Sequence, residues 1–415
     1  MSLRRPVVVA VAAAIASAGT ARAGSELTGL ASFRHTAFEQ KLANALAVPG
    51  VSRRRTGAVV FDLRSRRVVY ALNPTLPLAP ASNEKLPVTF TALLRLGPEY
   101  RFRTEVLGAG RRVGSVWHGH LYLRGGGDPT LHVSGLRRLA LALRREGIRR
   151  VSGDVLADES YFDSERTAPG WKPSFYMDES PPLSALVVAR ARYDRRVTSD
   201  PAGAAAAIFV RQLDRVGVRV GGESAWGTAP RRARLLARTA SQPLSQILRF
   251  MDRWSDNFTA EMVLKTLGAE VAGKGTTAVG ARVVVDTLAA EEIPLNGVRI
   301  ADGSGLSSRD RLTPRAIASI LLAVWADPRV RPYLWRALAV AGRNGTLAYR
   351  LRGTASDGIV RAKTGTTDVA SALSGFAGRR YVFAVVQDGH PIATWSARAA
   401  QDAFATVLAR AVRRH

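Results

Sequence analysis

A chain of 415 residues with 47% hydrophobic and 22% charged residues has room for two domains, or for one domain with a large insertion, and its composition excludes a disordered polymer. It contains no cysteine, which removes disulfides, thiol catalysis and Cys-ligated zinc. The formal charge of +27 comes from 60 basic against 33 acidic residues, and the arginines are spread along the whole chain without a basic arm or an aromatic-interleaved patch, so nucleic acid is not the expected partner.

In chain order, Arg4 and Arg5, the apolar run Val7 to Ala18 and the small-x-small site Ala21-Arg22-Ala23 form a secretory signal peptide over 1–23, too short to span a bilayer. The mature protein is then expected outside the cytoplasmic membrane, periplasmic, wall-associated or secreted. Its positive charge there points to anionic wall polymers or a membrane surface. His35 to Ala47 reads as a helix, and Thr56 to Leu63 with Arg67 to Leu72 as a hairpin. Ser82 to Leu96 has helical spacing and is closed by Gly97-Pro98. From about Tyr100 to about Leu235 the texture changes to short strands and glycine-rich turns, with Thr104 to Leu107 and Val116 to Leu123 the clearest strands. Helical spacing returns at Ser241 to Arg253, Thr259 to Ala269, Ala278 to Glu291 and Pro314 to Trp325. Gly358 to Thr366, Ala370 to Phe376 and Tyr381 to Gln387 read as successive strands, and Ser396 to Arg413 as a closing helix. The expected architecture is α+β: an antiparallel sheet flanked by helices, built from 24–98 and 237–415, and interrupted by a strand-rich accessory insertion over 99–236.

Only six of the 60 basic residues are lysine: Lys41, Lys85, Lys172, Lys265, Lys274 and Lys363. Chemistry that needs an amine able to lose its proton is one reason to keep lysine where arginine is otherwise used. Two of the six lie in polar clusters. Ser82-Asn83-Glu84-Lys85 opens a helix after a loop; residues three apart share a face, so the Lys85 amine reaches the Ser82 hydroxyl, and the first helical turn favours negative charge on that oxygen. Ser255-Asp256-Asn257 lies in a turn between helices, where the serine can relay a proton and the amide can hold a peptide carbonyl. Lys363-Thr364-Gly365-Thr366 lies on a strand: a cation, two hydroxyls for a carboxylate, and a glycine that lets a substrate backbone dock along the strand edge. Each cluster alone is a common cap, turn or strand end. Together, in this order on helix, turn and strand, they are the set used by serine acyl-transfer enzymes that recognise β-lactams.

At these residues the chain resembles the D-alanyl-D-alanine carboxypeptidase/endopeptidase family of low-molecular-mass penicillin-binding proteins. The likeness extends to Gly126-Gly127-Asp128-Pro129-Thr130-Leu131, Ala168-Pro169-Gly170-Trp171, Asp302-Gly303-Ser304-Gly305-Leu306 and Gly345-Thr346-Leu347, and runs from about His35 to about Val412. It implies a β-lactamase/transpeptidase-like catalytic domain and, between Ser82 and Ser255, one or two accessory domains. It implies hydrolysis of peptidoglycan stem peptides ending in D-Ala-D-Ala through a Ser82 acyl-enzyme, with β-lactams as covalent inhibitors and no cofactor or metal. Lys85 is the expected base, Ser255 the proton carrier to the leaving amine, and Asn257 the group orienting the peptide. Lys363, Thr364 and Thr366 are expected to hold the terminal carboxylate, and the backbone N–H groups of Ser82 and Thr366 to form the oxyanion hole. Asp163-Ser164-Glu165 is a candidate for contact with an amino group of the substrate's third residue.

Three features compete with this reading. Glu292-Ile293-Pro294-Leu295-Asn296 matches the Glu-x-x-Leu-Asn segment of class A β-lactamases, and a serine β-lactamase is the alternative function; the long insertion favours a helix end and turn instead. His118 and His120 alternate on a strand without a spacing that completes a metal site. Gly125-Gly126-Gly127 lacks the strand-to-helix context and lysine of a phosphate loop. A non-catalytic wall-binding protein on the same fold is the remaining alternative, and it would be expected to have lost one of the clustered residues.

Overall fold

The computed structural model describes residues 36–193 and 196–413; the expected signal peptide lies outside them. In chain order the main elements are α1 (Ala37–Leu46), β1 (Thr56–Asp62), β2 (Arg67–Leu72), α2 (Lys85–Arg95), β3 (Arg103–Val113), β4 (Val116–Gly125), α3 (Val133–Arg145), β5 (Arg150–Val151), β6 (Val155–Asp158), β7 (Arg192–Tyr193) and β8 (Arg196–Val197). There follow α4 (Pro201–Arg215), β9 (Arg219–Val220), β10 (Ser224–Trp226), β11 (Arg234–Ala240), α5 (Leu244–Trp254), α6 (Asn257–Ala272), α7 (Thr277–Ala290), α8 (Pro314–Ala326), α9 (Arg331–Ala337), β12 (Ala339–Val340), β13 (Val360–Thr366), β14 (Ala370–Ala377), β15 (Tyr381–Asp388) and α10 (Thr394–Arg413). The described chain divides into two compact units. One comprises residues up to Leu94, Leu248–Asp256 and the chain from Val284 onward; the other comprises Arg95–Ile247 and Asn257–Val283.

The first unit is built on a six-stranded antiparallel sheet in the order β12-β13-β14-β15-β1-β2. The strands β14 and β15 are buried along their whole length, so they read as continuous apolar or small-residue runs rather than as alternating ones. Tyr381, Phe383 and Val385 point to one face, where they pack with Leu42 and Leu46 of α1 and Phe404 and Leu408 of α10. Val382, Ala384 and Val386 are buried on the other face, and α8 packs against β1, β14 and β15. Full burial of a side chain such as Phe383 or Phe404 stabilises the fold by about 2–3 kcal/mol. The α1 helix begins with a capping box between Thr36 and Glu39, which satisfies two of its orphan N–H groups.

The second unit is built on a mixed sheet, β10-β6-β4-β3-β11, with β5 and β9 alongside. Its spine is the β3–β4 hairpin, closed by the two-residue turn Gly114-Ser115 with Gly114 at φ +56°. Two helices cover this sheet that the sequence texture did not suggest. Leu136, Leu139 and Leu143 of α3 and Phe209 and Leu213 of α4 pack with Trp117, Leu121 and Leu123. The i, i+3, i+7 leucines of α3 do have helical spacing, but four arginines within the helix and several glycine turns around it dilute the signal over the segment. A smaller core joins Phe162, Leu183 and Val187 to Phe258 and Met262 of α6, so α6 folds with the insertion and not with the segment before it.

Candidate active site

Ser82 lies on a 3₁₀ turn, Ala81–Glu84, and the α-helix begins only at Lys85. The expected single helix from Ser82 is thus a turn leading into α2. The tighter winding serves the geometry, because residues three apart eclipse on a 3₁₀ turn. Lys85 Nζ donates to Ser82 Oγ at 2.9 Å and to Ser304 O at 2.6 Å, and the lysine is fully buried. Ala81, just before the serine, has φ +45°, a left-handed conformation that costs a non-glycine residue about 1–3 kcal/mol and persists only where the surroundings enforce it.

Two neighbours enforce it. Gly305 has φ +84°, and a Cβ there would lie 1.9 Å from Ala81 O. The loop carrying Gly305 is organised by Asp302, whose carboxylate accepts from Gly305 N at 2.7 Å, Ser307 N at 2.8 Å and Ser304 Oγ at 3.0 Å. That same loop presents the Ser304 carbonyl to Lys85. On the other side, a Cβ on Gly365 of β13 would meet Pro80 O at 2.9 Å and Ser82 N at 3.1 Å, so this glycine lets the strand approach the serine turn. Asn83 Nδ2 ties the two together by donating to Lys363 O at 3.3 Å.

Ser255 is the C′ residue of α5. It has φ +62°, and Asp256 N donates to Met251 O at 2.9 Å, the long-range bond of a Schellman cap, where glycine is usual. Its hydroxyl accepts from Lys363 Nζ at 2.8 Å; the same amine donates to Thr364 O at 2.9 Å. Burial and the charge of Lys85 hold the Lys363 amine well below the ordinary lysine range, against the pull of Asp252. Asp252, also buried, accepts from Thr89 Oγ1 at 2.8 Å. Its carboxyl is pushed up to about 6 by burial, with Lys363, Thr89 and Lys85 acting in the opposite sense.

Ser82, Ser255, Thr364 and Thr366 line one cavity of about 720 Å³. Thr364 Oγ1 donates to Thr346 Oγ1 at 2.7 Å, and Thr366 Oγ1 accepts from Arg398 Nη2 at 3.1 Å. Trp395 and Tyr349 form an exposed aromatic rim. Arg350 is consumed by Asp402, Gln401 and the Arg398 carbonyl, which fixes the first turns of α10 and so the position of Arg398. The polar groups that sequence reasoning missed are Arg398, Asp252 and the Ser304 carbonyl. Neither Arg398 nor Asp252 has a motif around it; Ser304 lies in the stretch Asp302-Gly303-Ser304-Gly305-Leu306, to which sequence reasoning assigned no role at the serine.

Asn257 falls in the second unit, where its Nδ2 donates to Glu179 O and Oε2, each at 3.3 Å. Asp163 is also there, bonded to the buried Lys265 amine, which donates to Glu165 O at 3.1 Å as well. Glu292 is exposed at φ +57° in the turn after α7 and does not line the cavity. His120 Nδ1 accepts from Asp154 N at 3.1 Å.

The sequence profile of the D-Ala-D-Ala carboxypeptidase 3 (S13) family matches residues 38–200 and 189–411. The chain belongs to this family. It is 32% identical to a D-alanyl-D-alanine carboxypeptidase of Actinomadura sp., over 91% of this chain and 85% of that protein. It is 31% identical to the carboxypeptidase DacB of Mycolicibacterium smegmatis, over 90% and 83%. Among solved structures, penicillin-binding protein 4 of Haemophilus influenzae superposes with a TM-score of 0.79 at 22% identity, covering 90% of this chain and 98% of that one. A second structure of that protein, complexed with a β-lactam, superposes with a TM-score of 0.70. The fold is thus the expected α+β penicillin-binding arrangement with an inserted, strand-rich part, and the chain is a serine-type D-Ala-D-Ala carboxypeptidase.

Proposed function

We propose that the chain releases the terminal D-alanine from peptidoglycan stem peptides through an ester on Ser82. The observation that carries this is the pair of serine–lysine hydrogen bonds, Lys85 to Ser82 at 2.9 Å and Lys363 to Ser255 at 2.8 Å, with both serines on one cavity. Two full ammonium charges buried this close are costly, so one amine is available as a base. Lys85 takes the Ser82 proton as Oγ attacks the carbonyl carbon. The backbone N–H groups of Ser82 and Thr366 receive the oxyanion, each such donor being worth about 10²–10³ in rate. When the C–N bond breaks, the D-alanine amine takes a proton from Ser255, which recovers one from Lys363. Water then attacks the ester carbonyl carbon and gives up a proton through Ser255 to Lys363, while Ser82 Oγ leaves with the proton held by Lys85. The role expected of Asn257, orienting the peptide, rests on its place two residues after Ser255.

The terminal carboxylate needs a fixed cation. Lys363 was the expected one, but it is fully buried, engaged by Ser255, and held below the ordinary lysine range. Arg398, whose guanidinium stays charged, already donates to Thr366 in the cavity. We therefore assign the carboxylate to Arg398 with Thr364 and Thr366, and the relay to Lys363. Cleavage of a D-alanyl cross-link has the same acyl donor and differs only in its leaving amine. β-Lactams acylate Ser82 in the same way, as the complex of the Haemophilus relative suggests.

We further infer that the catalytic domain, expected over 24–98 and 237–415, is the first compact unit and so lacks α6, which folds with the insertion, and that the chain is exported with cleavage near Ala23. Among the described residues no helix is long and apolar enough to cross a membrane. The high positive charge favours association with anionic wall polymers. Release of D-alanine from a diacylated Lys-D-Ala-D-Ala peptide tests the reading: Ser82→Ala and Lys85→Ala should each lower turnover about 10³-fold or more. Unaltered release in Ser82→Ala would place the nucleophile elsewhere.

A further inference from the structure

The second unit has a cavity of its own, about 650 Å³. Its floor is one row of the sheet. Glu105 of β3 stands opposite Arg124 of β4 and Arg238 of β11, and accepts from both, at 2.5 Å and 2.8 Å. Arg103 lies on the same face of β3, two residues away, and Arg101 follows just before the strand; both are exposed. Gly125 and Gly126 complete the floor; a Cβ on Gly126 would lie 2.5 Å from Arg103 O.

The opposite wall is different. Tyr100 Oη and Tyr161 Oη both donate to Glu270 Oε1, at 3.0 Å and 2.5 Å. That leaves Glu270 Oε2 as an acceptor without a hydrogen bond from any described residue. The lining thus holds four guanidiniums against two carboxylates, with Glu105 already shared by two of the arginines. One side carries surplus positive charge; the other offers a carboxylate oxygen and phenol rings, the groups that accept from hydroxyls and pack on polyol or sugar faces. A bare lipid surface would call for exposed apolar side chains beside the basic ones. The exposed large hydrophobics of this unit, Val113, Val133, Trp226 and Leu235, do not line the cavity.

We propose that this cavity binds an anionic glycopolymer, a chain of hydroxylated units bearing phosphate or carboxylate groups. Its anion sits on the Arg101/Arg103 side, where the guanidiniums are not paired with a carboxylate, and its hydroxyls face Glu270 and Ser160. The proposal localises the general attraction expected from the net charge, and it stands apart from the roles of Ser82 and Lys85.

Equilibrium titration of the full chain would use four probes: a glycerol-phosphate oligomer, tetragalacturonate, neutral chitotetraose and phosphatidylglycerol vesicles. The two anionic oligomers separate phosphate from carboxylate as the preferred group. Both should bind, chitotetraose should not at the same concentration, and affinity should fall with added salt. Arg101→Ser with Arg103→Ser should weaken binding about five- to tenfold. Arg137→Ser with Arg145→Ser, which removes the same charge from exposed positions on α3, should change it less than about twofold, as expected when only long-range attraction is lost. Arg103→Gln, which keeps the aliphatic stem, replaces the double variant if that one melts early. Equal losses in the two double variants would reduce the site to net charge and overturn the proposal. So would failure of both oligomers to bind, or binding to vesicles alone.

Discussion

Two buried amines and one buried carboxyl decide how the catalytic cavity responds to pH. Lys363 holds its proton less readily than an ordinary lysine because of burial and the Lys85 charge, and Asp252 is the group that opposes this. Replacing Asp252 by Asn removes the opposing charge, keeps the shape, and still lets Thr89 donate to the side chain. The Lys363 amine should then release its proton at lower pH, and because Lys363 must be protonated to resupply Ser255, the alkaline limb of the kcat/KM profile for D-alanine release should move to lower pH. A limb that stays in place, or moves upward, would remove Asp252 and Lys363 from the proton path. Arg398 gives a second prediction. With an acid-ended peptide, Arg398→Ala should raise KM about tenfold or more, the scale of a charge-assisted hydrogen bond. With the amide-ended peptide the change should be much smaller; equal changes on both peptides would show that Arg398 only shapes α10. Neither residue was legible in the sequence. Asp252 sits in the last turn of α5 without a motif of its own and Arg398 is one of 54 arginines, and each acquires meaning only when the fold brings it beside Lys363 or Thr366.

The elements around the serine turn are held by close backbone approach, and the glycines there are consequently not interchangeable. Gly305→Ala must place a Cβ against Ala81 O and hold a left-handed φ. The strain and the displaced backbone together should cost about 3 kcal/mol. Gly353, at φ +71° with nothing within 4 Å of its missing Cβ, should cost only about 1 kcal/mol as alanine. Thermal melts of the two variants test this, and equal destabilisation would contradict the packing described. At this scale much was readable beforehand. The strands β13, β14 and β15 and the helices α7, α8 and α10 all coincide closely with their expected spans, because long apolar periodicities survive tertiary packing. Ser82 was placed on a helix and lies on a 3₁₀ turn, since the positive φ at Ala81 comes from Gly305 and Gly365 and not from local propensity. In the insertion α3 was missed because arginines and glycine turns surround its leucines, and α4 because alanines fill much of its buried face.

For the whole molecule, the point of consequence is where the insertion ends. Phe258 and Met262 of α6 are buried against Phe162, Leu183 and Val187, so the second unit reclaims chain after Ser255. Deleting residues 99–236 alone should leave that apolar face of α6 uncovered, giving a protein that binds a hydrophobic dye and precipitates. A soluble, cooperatively melting product would show that α6 does not depend on the insertion. The family and the three clusters were visible in the sequence because acyl-transfer chemistry demands particular side chains at particular spacings, whereas the cavity bearing Arg103 and Glu270 had no such signature. The account as a whole depends on a covalent bond forming at one hydroxyl. Reaction with benzylpenicillin followed by peptide mapping by mass spectrometry should find the penicilloyl adduct on the peptide containing Ser82, and no adduct in Ser82→Ala; an adduct on the Ser255 peptide, or one retained in Ser82→Ala, would contradict it.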